Sequence, residues 1–162
     1  MFAVYKDDTF TSIGRAPRPK ICPVFDSDNK YFLAEIYTLC FLLLGKRIKL
    51  VIPESFIFDG ASIPRFFWRI VGHPYKPRFV VAAIPHDALF GAIDERIQIW
   101  IDGRLVSSEE ASEFFTREVT DLLFKYLLQF EKNTGFKVRI MHKAVRAGGW
   151  LKFRKSKNQF HS

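Results

Sequence analysis

Two short stretches and one end of this 162-residue chain hold side chains whose types and spacing suit chemistry. The first stretch, Asp59-Gly60-Ala61-Ser62-Ile63-Pro64-Arg65, sets a carboxylate, a hydroxyl and a guanidinium close together. It falls where a strand gives way to a helix, a junction that can aim backbone N–H groups and a side chain at one point. The plainer alternative is local: Ser62 caps the helix and Asp59 pairs with Arg65 to hold the turn. The second stretch is His86-Asp87, inside the otherwise apolar run Phe79 to Phe90. Burying such a pair is costly unless both members are partnered. Both residue types bind divalent metals, and both serve as general acids and bases. A catalytic metal would need a third ligand and an open position for water. The candidates for that ligand are Asp59, His73, Asp94, Glu109, Glu110 and His142, none at a diagnostic spacing. The structural alternative has Asp87 accepting bonds from Arg146 or Arg65, and His86 satisfied by a backbone carbonyl.

The third feature is the C-terminal end. Trp150, Phe153 and Phe160 are interleaved with Lys152, Arg154, Lys155 and Lys157. Aromatic rings among cations can stack on bases while the cations follow phosphates. The same composition suits an anchor on an acidic protein face or an anionic membrane surface, or a solvated end with no partner.

Other chemistries are poorly served. Gly72, Gly91 and Gly103 stand apart from one another, so no glycine-rich phosphate loop is formed. No Gly-x-Ser-x-Gly elbow occurs. Cys22 lies among prolines and Cys40 in an apolar strand, at no metal or redox spacing. They are expected as reduced thiols.

These groups must be positioned by two kinds of element. The N-terminal third reads as strands. Phe2 to Tyr5 is a short apolar run, and Arg15 to Pro23 is an irregular connector with three prolines. Tyr31 to Leu44 and Arg47 to Ile52 form a hairpin turning at Gly45, and Phe56 to Phe58 adds one more strand. A short helix is predicted over Pro64 to Val71. A buried helix is predicted over Phe79 to Phe90, with Pro85 removing the N–H that would bond to the carbonyl of Val81. Arg96 to Ile101 is a strand or an excursion. Ser107 and Glu110 stand at capping-box spacing. The stripe Ala111, Phe114, Phe115, Leu122, Leu123, Tyr126, Leu127 and Phe130 then predicts one long helix, stopped at Asn133-Thr134-Gly135. Val138 to Ala147 predicts a last, basic helix. Strands first and helices second predict an α+β fold: a small antiparallel sheet covered by three or four helices. Residues 1–149 make a single domain in this reading, and 150–162 a basic aromatic tail.

Composition narrows the class further. Hydrophobic residues make up 48% and charged residues 26%, which excludes wholesale disorder and coiled coil. The longest charge-free stretch, Ile36 to Gly45, is far too short to span a bilayer. Met1 to Tyr5, followed by Lys6, Asp7 and Asp8, has no basic leader or apolar signal core. No signal peptide is expected. Net charge is +8, and from Lys132 onward there are nine basic residues and no Asp or Glu. The rest of the chain is therefore balanced, and the whole excess lies at one end. A one-sided block of this kind favours a polyanion or an acidic partner.

From about Ile48 to Trp150 the chain resembles a phage-associated family, "domain of unknown function 1353". The residues that carry the resemblance are Val51-Ile52-Pro53 with Phe56, the Asp59 to Arg65 block followed by Trp68, His86-Asp87 with Leu89 and Phe90, and Ala144-Val145-Arg146 with Gly148. The resemblance implies an origin in a bacteriophage or prophage, with a place in the virion or the host cytoplasm, and no set activity. After its His-Asp pair the family tends to carry Ala-Asp, and the pair matched here is Ala111-Ser112. If that Asp is a metal ligand, Glu109 or Glu113 has to replace it. Pro85 directly before His86 is a second departure.

The first functional expectation is an accessory or virion-associated protein. Its basic C-terminal face, with Lys143, Trp150, Lys152, Arg154, Lys155 and Lys157, would contact phage structural proteins, another acidic surface or nucleic acid. The alternative is a phage-encoded hydrolase acting on a phosphodiester or a cell-wall bond. Asp59, Ser62, Arg65, His86, Asp87 and Arg146 would then meet in one pocket. Asp59, His86 and Asp87 would hold a divalent metal or act as acid and base, and Arg65 and Arg146 would bind an anionic substrate. A second alternative is an early protein that binds nucleic acid or a host factor.

Overall fold

A computed structural model describes residues 2–25, 30–58, 77–131, 135–144 and 146. In chain order the strands are β1 (Ala3–Lys6), β2 (Thr11–Ser12), β3 (Ile21–Pro23), β4 (Tyr31–Leu33), β5 (Tyr37–Leu43), β6 (Lys46–Ile52), β7 (Ile57–Phe58), β8 (Gln98–Ile101) and β9 (Arg104–Val106). The helices are α1 (Pro77–Leu89), α2 (Ser108–Phe114), α3 (Arg117–Phe130) and α4, over 135–144.

Two tight hairpins organise the main sheet. β5 and β6 turn through Leu44-Gly45, and β8 and β9 through Asp102-Gly103, with all four turn residues at positive φ. That geometry matches the twist of the flanking strands, and it explains a Gly at the second turn position of each. Asp102 ties the hairpins to each other. Its Oδ1 accepts the Arg47 N–H at 2.9 Å, and its Oδ2 pairs with Lys46 Nζ at 3.1 Å. The resulting antiparallel order is β2-β1-β5-β6-β8-β9, and β3-β4-β7 form a second, smaller sheet.

Strand alternation then separates two faces. Leu39, Leu50, Ile99 and Val106 fall in one register row and join the buried core, as do Val4, Phe41 and Ile48 in the next. Tyr5, Lys49, Trp100 and Leu105 lie on the other face. α1 is apolar on almost every side and is buried from Phe79 to Ile84, the pattern of a helix enclosed by protein. α3 buries one stripe, including Leu123, Phe124, Leu127 and Leu128, and packs on α1. Phe2 joins the layers, with its ring 6.2 Å from Phe41 and 5.3 Å from Tyr126.

The architecture is α+β, an antiparallel sheet drawn mostly from the N-terminal part, with β8 and β9 entering it between α1 and α2. Details depart from the sequence reading. The Arg15 to Pro23 connector ends in a strand, β3. The Tyr31 to Leu44 run is cut at Ala34 to Ile36, so its first part joins the small sheet and its second the large one. The long helix after Ser107 is two helices. Thr116 breaks it and caps α3, its Oγ1 accepting the Val119 N–H at 3.4 Å. Ser107 caps α2 by accepting the Glu110 N–H at 3.2 Å, while the Glu110 carboxylate pairs with Arg104 instead of closing a capping box. The helix expected over Pro64 to Val71 lies outside the described residues, as does the 150–162 tail.

A buried carboxylate fastens the N-terminal connector to the end of α3. Glu131 Oε1 accepts the Ala16 N–H at 3.2 Å, and Oε2 meets Arg18 Nη2 at 2.6 Å. Beside them the Tyr37 hydroxyl donates to the Pro17 carbonyl at 3.0 Å. Burial, reinforced by the Glu131 charge, raises the Tyr37 pKa well above the usual phenol value. Neither Cys22 nor Cys40 is joined in a disulfide. No helix among the described residues is long and apolar enough to cross a membrane.

Candidate functional site

The site starts from two helices that each carry a charged residue on a buried face. On α1, His86 is 5% exposed and follows Pro85, the helix-internal proline. On α3, Asp121 shares the buried stripe of Phe124 and Leu128, and it is 3% exposed. Packing of α1 on α3 brings His86 Nε2 to 3.1 Å from Asp121 Oδ1. A carboxylate only accepts, so Nε2–H donates, and in the neutral ring the lone pair belongs to Nδ1. Nδ1 is 3.6 Å from Asp87 Oδ1, beyond hydrogen-bond reach. It is buried and has no hydrogen-bond partner among the described residues. Phe90 stacks on the imidazole at 5.2 Å, and Phe124 meets it edge-on at 5.3 Å.

Asp121 Oδ2 is the second buried atom without a hydrogen bond among the described residues. Two guanidinium groups approach it: Arg117 Nε at 4.0 Å, one helical turn earlier, and Arg146 Nε at 3.9 Å. Arg117 Nη2 also donates to the Arg146 carbonyl, which fixes the chain just past α4 against α3. The cluster therefore alternates in sign: Asp87, His86, Asp121, then Arg117 and Arg146. Burial alone would lower the His86 pKa. The Asp121 hydrogen bond and the Asp87 carboxylate outweigh it and hold the pKa above the ordinary histidine value. His142 moves the other way. Burial, with the positive charges of Lys125 and Arg146, outweighs Asp121 and lowers its pKa.

A cavity of about 220 Å³ lies beside the pair. Phe90, Ser112, Thr116, Arg117 and Thr120 are among its lining residues. Two of these touch the cluster directly: Phe90 covers the imidazole and Arg117 faces the Asp121 carboxylate.

Of the residues singled out from sequence, His86, Asp87 and Arg146 fall in this cluster. Asp59, Ser62, Arg65, Trp150, Lys152, Arg154, Lys155 and Lys157 lie outside the described residues. Lys143 is exposed on α4. Arg146 approaches Asp121, and the His86 ring bonds a carboxylate instead of the expected backbone carbonyl, while Arg65, the other partner expected for Asp87, lies outside the described residues. Among the other ligand candidates, Asp94 is held by Arg96 in its own turn, Glu110 by Arg104, and Glu109 is exposed. His73 is outside the described residues. Among the described residues no three His, Cys, Asp or Glu side chains are arranged to hold a metal ion.

Asp121 and Arg117 were not singled out from sequence. The legible signal was an aspartate on the apolar stripe of the helix with an arginine four residues before it. The Asp expected at position 112 changes meaning here. Ser112 is exposed and its hydroxyl donates to the Ser108 carbonyl at 2.8 Å, and Glu109 and Glu113 are exposed as well. The carboxylate that meets His86 comes from Thr120-Asp121 in the following helix.

A family model described as "Protein of unknown function (DUF1353)" matches residues 41–145. No curated protein and no solved structure matches the chain.

Proposed function

We propose that this chain, which belongs to the DUF1353 family, is a hydrolase that uses His86 as its general base. One observation carries the reading: Asp121 holds one nitrogen of the ring while the other, Nδ1, is left without a hydrogen-bond partner among the described residues. A structural histidine buried this deeply is expected to have both nitrogens satisfied. A base oriented by a carboxylate at one nitrogen, with the lone pair of the other not spent on a hydrogen bond, is the working arrangement of nucleophilic and water-activating sites.

In this reading Nδ1 takes a proton from water or from a substrate-side hydroxyl. Asp121 keeps the tautomer and stabilises the imidazolium that forms. Arg117 and Arg146 supply positive charge where an anionic substrate or intermediate would sit. The substrate class is a phosphodiester or a cell-wall bond.

Hydrolysis of an activated phosphodiester and of purified peptidoglycan, each with and without added Mg²⁺, Ca²⁺ or Zn²⁺, tests the proposal. Turnover by the wild type that is lost in His86→Gln, with the fold retained, is the expected result. Wild-type protein inert on both substrates under every condition would overturn it.

A second reading keeps the accessory or virion-associated role in a bacteriophage or prophage. It is favoured by the outer face of α4. Phe136, Arg139 and Lys143 are exposed on it, and Arg146 continues the same stripe, while Val138, Met141 and Ala144 are buried behind. Three cations and one aromatic ring on a single helical face suit a polyanion or an acidic partner.

A further inference from the structure

The outward stripe of α4 holds two cations and a ring that the rest of the described structure leaves unused. Phe136, Arg139, Lys143 and Arg146 follow one another at spacings of three, four and three residues, which sets them along one side of a helix. All four are exposed, Phe136 by 67%. Arg139 and Lys143 make no ion pair, and Phe136 no ring contact, among the described residues. Only Arg146 is engaged, its side chain facing Asp121 at 3.9 Å. Elsewhere on the surface Lys20, Lys46, Arg96 and Arg104 are each answered by a carboxylate. Residues 135–146 contain no Asp or Glu that could do the same for α4, and none follows in the chain.

The composition of the stripe selects among charged partners. A protein–protein interface is depleted of charge at its centre and leans on buried aromatic anchors. Here the centre is cationic and the one ring stands at an end. A membrane-surface helix sinks an apolar face among lipid chains. The apolar face of α4, with Val138, Met141 and Ala144, is already spent on the protein core. A nucleic acid needs what remains, since its interfaces are strongly positive. A ring beside a row of cations then favours unpaired bases, because a duplex keeps its base faces stacked and a single strand offers them. From Phe136 to Arg146 the helix rises about 15 Å, the length of roughly four stacked nucleotides.

We infer that the outer face of α4 binds single-stranded nucleic acid, with the backbone phosphates along Arg139 and Lys143 and a base stacked on Phe136. The inference rests on the polyanion reading of α4 and fixes which polyanion it is.

Anisotropy of a labelled oligothymidylate, with duplex DNA of the same length and polyglutamate measured beside it, tests this on the full chain. The oligothymidylate should bind more tightly than either. Phe136→Ala, at an exposed position where folding is not at stake, should weaken its binding by about tenfold, the loss of one stacked base. The same change should weaken duplex binding much less. Arg139→Glu with Lys143→Glu should lower the log–log salt slope for the oligothymidylate by roughly 1.4, at ~0.7 for each phosphate contact. Arg47→Glu, on the sheet face away from the helices, should lower it far less. The inference fails if the oligothymidylate does not bind, if Phe136→Ala binds it as the wild type does, or if the double variant keeps the wild-type slope. Duplex or polyglutamate bound through α4 as tightly as the oligothymidylate would overturn the single-strand assignment and leave the polyanion reading standing. Binding of none of the three would overturn both.

Discussion

His86 and Asp121, thirty-five positions apart in the chain, meet at 3.1 Å in the packed interface of two helices. The contact joins α1 to α3 beside the rings of Phe90 and Phe124, with the charges of Asp87, Arg117 and Arg146 flanking it. In such surroundings a charge keeps its form only with a partner, so each residue fixes the state of the other.

Removing one partner should therefore cost far more than the bond itself is worth. Asp121→Ala leaves a buried imidazole beside two guanidinium groups, and a loss of about 3 kcal/mol is expected in urea unfolding. Asp121→Asn keeps the shape and should cost less. It should still abolish any hydrolysis that depends on His86, because the amide can hold the wrong tautomer.

The pH dependence of stability and of activity should run in opposite directions. The folded-state pKa of His86 is raised above 6.5. Its charged form thus contributes stability that is complete below the unfolded value and is lost as pH rises through the folded value. A general base works only when deprotonated, so turnover should climb over that same interval. Unfolding midpoints and rates measured from mildly acidic to mildly alkaline pH, with His86→Gln as the reference, check both slopes.

The histidines near Asp121 should titrate on either side of the ordinary value, His86 above and His142 below. Asp121 raises both, so Asp121→Asn should move both curves to lower pH. Proton NMR of the imidazole signals gives the answer directly.

Glu131 is expected to matter to stability without touching the candidate site. Its carboxylate is buried between Arg18 and the Ala16 N–H. Glu131→Gln keeps an acceptor for Ala16 and removes the charge facing Arg18, at a cost of about 2 kcal/mol in chemical unfolding.

The α4 face should decide any attraction to polyanions. Arg139→Glu with Lys143→Glu should weaken binding to duplex DNA and flatten its salt dependence, each lost phosphate contact lowering the log–log slope by ~0.9. An unchanged slope would remove α4 from the second functional reading.

Local signals made much of this fold legible. The Gly45 hairpin, the apolar run of α1 and the Ser107 cap follow from residue types a few positions apart. The break at Thr116 was hidden because the apolar stripe continues through Phe114 and Phe115, and only the cap on α3 marks the stop. β3 was hidden because three prolines mask a strand that pairs at the edge of a small sheet. At the candidate site, His86-Asp87 stood out as polar residues in an apolar run. Asp121 did not, because its partner is reached only through helix packing, and nothing near it in sequence names His86.

β1 hydrogen-bonds along β5, and Phe2 just before it packs against α3. Both precede residue 41, where the match to the family model begins. Trimming the protein to the matched stretch would also remove Tyr37 to Cys40 of β5, bare Lys49 to Ile52 along β6, and withdraw an aromatic plug from the core. An open strand flank of that kind recruits other chains. Expression work on this molecule therefore has to retain its opening residues, or it will be studying aggregates.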